Sequence, residues 1–143
     1  MSIGGILEHK SADVVSIRAG AIVTTAVKEM RAHNIAALVV KQNDRIVGVL
    51  SERDIVNAIA RHGENALSMP VESALSHSLV TIASSDSVKH AMRLMTHHRT
   101  RHLLVIDDGR LSGIVSGGDV VKQRLQDLEL ESNVLRDAYI AAH

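Results

Sequence analysis

Apolar residues follow two alternating rhythms along this chain. Residues 14–17 (VVSI) form a short apolar run that predicts a strand. Val23, Ala26, Val27 and Met30 then fall at i, i+3, i+4 and i+7, the spacing of one helix face. Residues 37–40 (ALVV) and 46–50 (IVGVL) read as two strands, with Asn43 and Asp44 as the hairpin turn between them. Ser51 marks the start of another helix. The same order returns further on. Residues 79–82 (LVTI) predict a strand, and Val88, Ala91, Met92 and Met95 a helix face. Asp86 stands near that helix start, where its charge favours the dipole. Residues 102–106 (HLLVI) and 111–115 (LSGIV) flank a turn at Asp108-Gly109, and Ser116 opens a final helix.

The recurrence is an internal repeat. GVLSERD, beginning at Gly48, matches GIVSGGD, beginning at Gly113. The same offset holds without a gap through the identical pairs Val15/Val80, Val23/Val88, Met30/Met95, Leu38/Leu103 and Arg45/Arg110. The expected fold class is α/β of the α+β type: two β-α-β-β-α repeats packed as a pseudo-two-fold pair, with an extended C-terminal helix. The expected division is 1–63 for the first repeat with the N-terminal segment, 64–76 for a linker holding Pro70, and 77–143 for the second repeat. One copy is too small to bury a good core alone.

Composition narrows the function. Phe and Trp are absent and Tyr139 is the one aromatic residue, so no stacking platform for single-stranded nucleic acid can be built. Lys plus Arg and Asp plus Glu both number 16, without the basic excess of a DNA binder. The lack of cysteine excludes disulfides and thiolate chemistry and suits a reducing interior. No apolar run approaches a membrane span, and MSIGGILEHK lacks the form of a signal peptide. The expectation is a cytoplasmic protein with no nucleic-acid or membrane partner.

The Ser-x-x-Asp at Ser51/Asp54 and Ser116/Asp119 supports two readings. As a helix cap, the serine accepts from the third helical N–H and the aspartate favours the dipole. As a ligand site, the helix N-terminus offers N–H groups to an anion, and the aspartate accepts from ribose hydroxyls. Both can hold at once.

The doubled β-α-β-β-α unit ending in G-h-h-S-x-x-D, with the segment Arg101-His102-Leu103 leading into a strand, resembles the cystathionine-β-synthase (CBS) domain pair, or Bateman module. The resemblance covers nearly the whole chain. It departs from many family members at Leu104, where they carry proline. The resemblance implies that Asp54 and Asp119 hold ribose beside Ser51 and Ser116, with adenine against Val15, Ala37 and Val80. It also implies that each pocket draws its Ser/Asp from one copy and its strand-leading residues from the other. Asp54 would then meet Thr100, Arg101 and His102, with Arg53 alongside; Asp119 would meet Ala36 and Ala37, with Lys10 as its obvious cation and the N–H groups of Gly117 and Gly118 nearby. The Asp54 pocket is expected to take the more highly phosphorylated end of a ligand.

Other chemistries find fewer residues. His98 and His102 are four apart, but the segment should run from a helix end into a strand, which breaks a helical metal pair. Gly117-Gly118 lacks the rest of a dinucleotide or P-loop fingerprint. Nothing places a base on Ser116, so no catalytic residue, catalytic cofactor or metal site is expected. In the last helix, Val121, Leu125, Leu128, Leu135, Tyr139 and Ala142 keep heptad-like spacing, with Ser132 at the missing position. That stripe either packs back on its own repeat or joins two copies, and CBS pairs commonly form dimers. The expected function is regulatory binding of AMP, ADP or ATP, with NAD(H) as a further candidate ligand, by a homodimer that signals to an unidentified regulated protein. The alternative is a ligand-free dimeric scaffold; an enzyme ranks last.

Overall fold

The computed structural model describes residues 1–10, 14–75 and 79–142. Its order is α1 (Ile3–His9), β1 (Ser16–Arg18), α2 (Val23–His33), β2 (Ala37–Gln42), β3 (Arg45–Ser51), α3 (Glu52–His62), a 3-10 turn (Gly63–Ser68), α4 (Val71–Ala74), β4 (Thr81–Ile82), α5 (Val88–His98), β5 (His102–Asp107), β6 (Arg110–Ser116) and α6 (Gly117–Ala142). It is a mixed α/β fold with two three-stranded sheets, ordered β1-β2-β3 and β4-β5-β6. The first strand of each sheet pairs parallel with the second, and the second pairs antiparallel with the third. Equivalent irregularities fall between Val40 and Lys41 and between Val105 and Ile106.

The hairpins form where the sequence places them. Asn43 and Asp44 have φ of 51° and 64°, and Asp108 and Gly109 have 51° and 74°, the left-handed pair that a tight two-residue hairpin requires. Both opening helices end on a left-handed residue, Asn34 and Arg99. Helix α2 buries Val23, Ala26 and Met30, whereas Val27 on the flank stays 40% exposed. Met92, its counterpart in the second repeat, is also 40% exposed.

The chain divides into two compact units. One holds the described residues from 14 to 79 and the other residues 1–10 with 80–142. The first unit's core centres on Leu38, Val40 and Leu50 of the hairpin, with α2 and α3. The residues expected as a linker belong to it: Ala66 and Val71 are fully buried and Ala74 nearly so. The boundary drawn between residues 76 and 77 lies outside the described residues.

The N-terminal segment, expected with the first repeat, is built into the second unit instead. Ser2 caps α1 by accepting from Gly5 N–H, and Ile3 and Ile6 enter the core of Leu103, Val105 and Val115. Two glycines make room for such coverings. A Cβ on Gly113 would stand 2.7 Å from Leu7 Cδ2, and one on Gly48 would stand 3.0 Å from Leu75 Cδ1. Each strand is therefore overlaid by a leucine from the segment preceding a repeat. Leu104, where a proline was the family expectation, is fully buried. Its N–H donates to Val80 O at 3.1 Å, a bond that proline could not make.

Candidate functional site

Each repeat turns from its last strand into a helix at the same serine. Ser51 accepts from Asp54 N–H at 3.2 Å, while Asp54 Oδ2 accepts from Ser51 N–H at 2.9 Å. Ser116 and Asp119 repeat both bonds at 3.2 and 2.9 Å. These are complete capping boxes, with Asp in the place usually held by Glu or Gln. Asp54 is only 2% exposed, a depth at which a carboxylate is stable only with such donors.

The segment leading into each middle strand supplies a further bond. Glu52 N–H donates to Ala36 O at 3.0 Å, and Gly117 N–H donates to Arg101 O at 2.7 Å. Of the two glycine N–H groups expected to serve an anion, Gly117's is thus already taken by a carbonyl, and Gly118 follows it in the first turn. Neither glycine is demanded by space or dihedral: a Cβ on Gly118 would meet nothing closer than Ser116 Oγ at 3.7 Å. Gly118→Ala is therefore expected to raise stability by about 0.5–1 kcal/mol, read by chemical denaturation.

Lys10 reaches the second box. Its ammonium donates to Asp119 Oδ2 at 2.7 Å and to Ile114 O at 2.8 Å. Burial pushes the Asp119 carboxyl up, but the Lys10 ammonium and the Ser116 donors outweigh it and hold the group below the ordinary value of 3.8. In the first unit Val71 and Leu75 take the places of Ile3 and Leu7, so the counterpart of Lys10 is Ser78, which lies outside the described residues and is no cation. Because the folded value lies below the unfolded one, this carboxylate's stabilisation is present above about pH 4 and is lost as pH falls through the folded value. Lys10→Met should cost about 1 kcal/mol at pH 7. The difference from the unaltered protein should shrink steadily below pH 4 in denaturation series.

The remaining expected residues fall nearby within their own repeats. Arg53 is exposed one residue before Asp54. Thr100 Oγ1 donates to His102 O at 3.2 Å, Arg101 is exposed, and His102 opens β5 opposite Ser116. Val15 and Val80 are half-buried and Ala37 is buried. The carbonyls of Val15 and Val80 accept from Val39 and Leu104 N–H, and both side chains pack against the edge of their unit's core. Helix α5 stops at His98, and His102 lies in a strand, so the two do not share a helix face. A groove lined by Met92, Met95, Thr100, Arg101, Gly117 and Val121 recurs in the first repeat at the equivalent positions Val27, Met30, Ile35, Ala36, Glu52 and Val56. Lys10 was legible as a candidate cation, although it stands at the other end of the sequence from Asp119. The capping of α1 by Ser2 was not read, although Ile3, Ile6 and Leu7 carry helical spacing.

The family model for the CBS domain matches residues 6–61 and again residues 71–125. The chain belongs to the CBS-domain family. It is 37% identical over 120 residues to the mitochondrial CBS domain-containing protein CBSX3 of Arabidopsis thaliana, covering 80% of this chain and 58% of that protein. A CBS-domain containing protein of Agrobacterium tumefaciens superposes with a TM-score of 0.82 at 35% identity, over 86% of this chain and 92% of the other. A CBS domain protein of Pyrobaculum aerophilum, solved in complex with AMP, superposes at 0.77 with 27% identity, over 92% and 99%. A hexameric CBS-CP12 protein from bloom-forming cyanobacteria superposes at 0.74 with 29% identity, over 85% and 66%. Among the described residues of this CBS-domain chain, no helix is long and apolar enough to cross a membrane.

Proposed function

We propose that the two CBS repeats form a regulatory module that binds an adenosine nucleotide at the Ser51–Asp54 and Ser116–Asp119 helix starts. The observation that carries this is the duplicated capping box. It holds two carboxyl groups in place one turn into a helix, where ribose hydroxyls can donate to them and phosphates can meet helix N–H groups. The AMP complex of the Pyrobaculum relative supports the ligand class. AMP, ADP and ATP are the candidates, with NAD(H) further down. Arg53, Arg101 and Lys10 supply positive charge, Thr100 and His102 supply polar groups, and Val15, Ala37 and Val80 supply small apolar surface for adenine. The sites are unequal, because Lys10 already compensates Asp119. The Asp54 site takes the more phosphorylated end.

In this reading the chain acts as a homodimer in the cytoplasm, performs no catalysis and passes a ligand-dependent change to a regulated protein. A thermal-shift panel of AMP, ADP, ATP, NAD(H) and S-adenosylmethionine tests it, since a ligand that binds only the folded chain raises its melting temperature. No shift with any of them would favour the second reading, a ligand-free scaffold. That reading draws on the apolar residues left exposed along α6, among them Leu130 at 64% and Leu135 at 71%.

A further inference from the structure

Helix α6 is 26 residues long, about 39 Å at the usual rise. Its own unit uses only the first part, burying Val120 and Gln123. From residue 125 to residue 142, all but Asp127 are exposed. Along the same helix an apolar seam steps 4-3-4-3 from Val121 to Ala142, three heptads. Leu125, Leu128, Leu135 and Tyr139 on this seam are 44–71% exposed. A second apolar row through Leu130 and Val134 is interrupted by Asp127 and Asp137, so the first seam is the drier one.

The charges beside the seam decide what fits it. With Leu125 and Tyr139 at a, and Leu128 and Leu135 at d, the g positions include Arg124 and Glu131, and the e positions Lys122, Glu129 and Arg136. In a parallel pair of identical helices, each g residue meets the e residue five places later on the other chain. Arg124 then meets the partner's Glu129, and Glu131 meets the partner's Arg136. Both contacts join opposite charges. An antiparallel pair that sets Val121 against the partner's Tyr139 brings Glu129 against the partner's Glu129, Glu131 against the partner's Glu131 and Lys122 against the partner's Arg136. All three contacts repel. The register one heptad on, with Leu125 against the partner's Ala142, leaves Val121 without a partner and makes only the Glu129–Arg136 attraction, half the number of attractive contacts in the parallel pair. Ser132 points the same way: parallel and in register, it faces the partner's Ser132 and can share a hydrogen bond. In the antiparallel pair it faces leucine.

We propose that α6 joins a second copy of this chain as a parallel, in-register, two-stranded coiled coil. This rests on the homodimer reading above and adds its orientation. The chain has no cysteine, so a single introduced thiol reports cleanly. Ala142→Cys at the far end of the seam should give a disulfide-linked dimer in high yield under mild oxidation, because the parallel helices bring the two thiols together. In the antiparallel pair they lie tens of ångströms apart. Glu131→Arg should raise the dimer dissociation constant about fivefold or more by sedimentation equilibrium, and adding Arg136→Glu in the same chain should restore it. A dimeric mass without the covalent product, or without loss and rescue by the charge exchange, overturns the coiled coil while sparing the homodimer. A monomeric mass at tens of micromolar overturns both.

Discussion

Asp54→Ala is expected to weaken nucleotide binding about 10–100-fold, the loss of one or two hydrogen bonds to a charged acceptor. The same change should also cost about 2–3 kcal/mol of stability. Removal of the helix cap accounts for about 1 kcal/mol, and the half-buried Ser51 N–H left without its acceptor for the rest. Ser51→Ala separates the two effects. It removes the hydroxyl that accepts from Asp54 N–H and leaves the carboxylate in place, so it should cost only about 1 kcal/mol and change affinity far less. Calorimetric titration gives the affinities, and urea denaturation gives the stabilities. Equal affinity losses in the two variants would mean that the carboxylate has no ligand role beyond the cap.

The second large effect lies at the start of the chain. Ile3 is fully buried in the core of the second repeat, so Ile3→Ala should cost about 3 kcal/mol, the transfer of the lost carbons plus the cavity they leave. Ile3→Val should cost about 1 kcal/mol. Because α1 carries Lys10 to Asp119, loosening the helix should also weaken that ion pair. Part of the Ile3→Ala loss should then disappear in a Lys10→Met background, read as non-additivity in a double-mutant cycle. A loss below about 1 kcal/mol for Ile3→Ala would mean that α1 is only loosely attached.

Much of this was legible in the residues because the repeat writes each signal twice. A hairpin at Asn43-Asp44 is one weak inference; with Asp108-Gly109 at the same offset it becomes firm, and both turns have the left-handed dihedrals the residues suggest. The two serine caps were read from their spacing and are complete boxes. What escaped were elements without a repeat-level signal. Helix α1 opens on Gly4 and Gly5, poor helix formers, and is held by burial of Ile3 and Ile6 rather than by propensity. Its assignment to the second repeat depends on contacts with the far end of the sequence, such as Leu7 over Gly113, which no local pattern encodes. The segment around Pro70 reads as a linker because it lies between the two copies of the repeat. Its Ala66, Val71 and Ala74 complete the first core all the same. Helical spacing also could not show that Val27 and Met92 lie on the exposed flank of their faces.

Titration of AMP into the unaltered protein and into the folded Asp54→Ala/Asp119→Ala double variant, by isothermal calorimetry, tests the nucleotide-sensing claim most directly. Saturable binding to the first and none detectable to the second is the expected result. Equal affinity in both would contradict it.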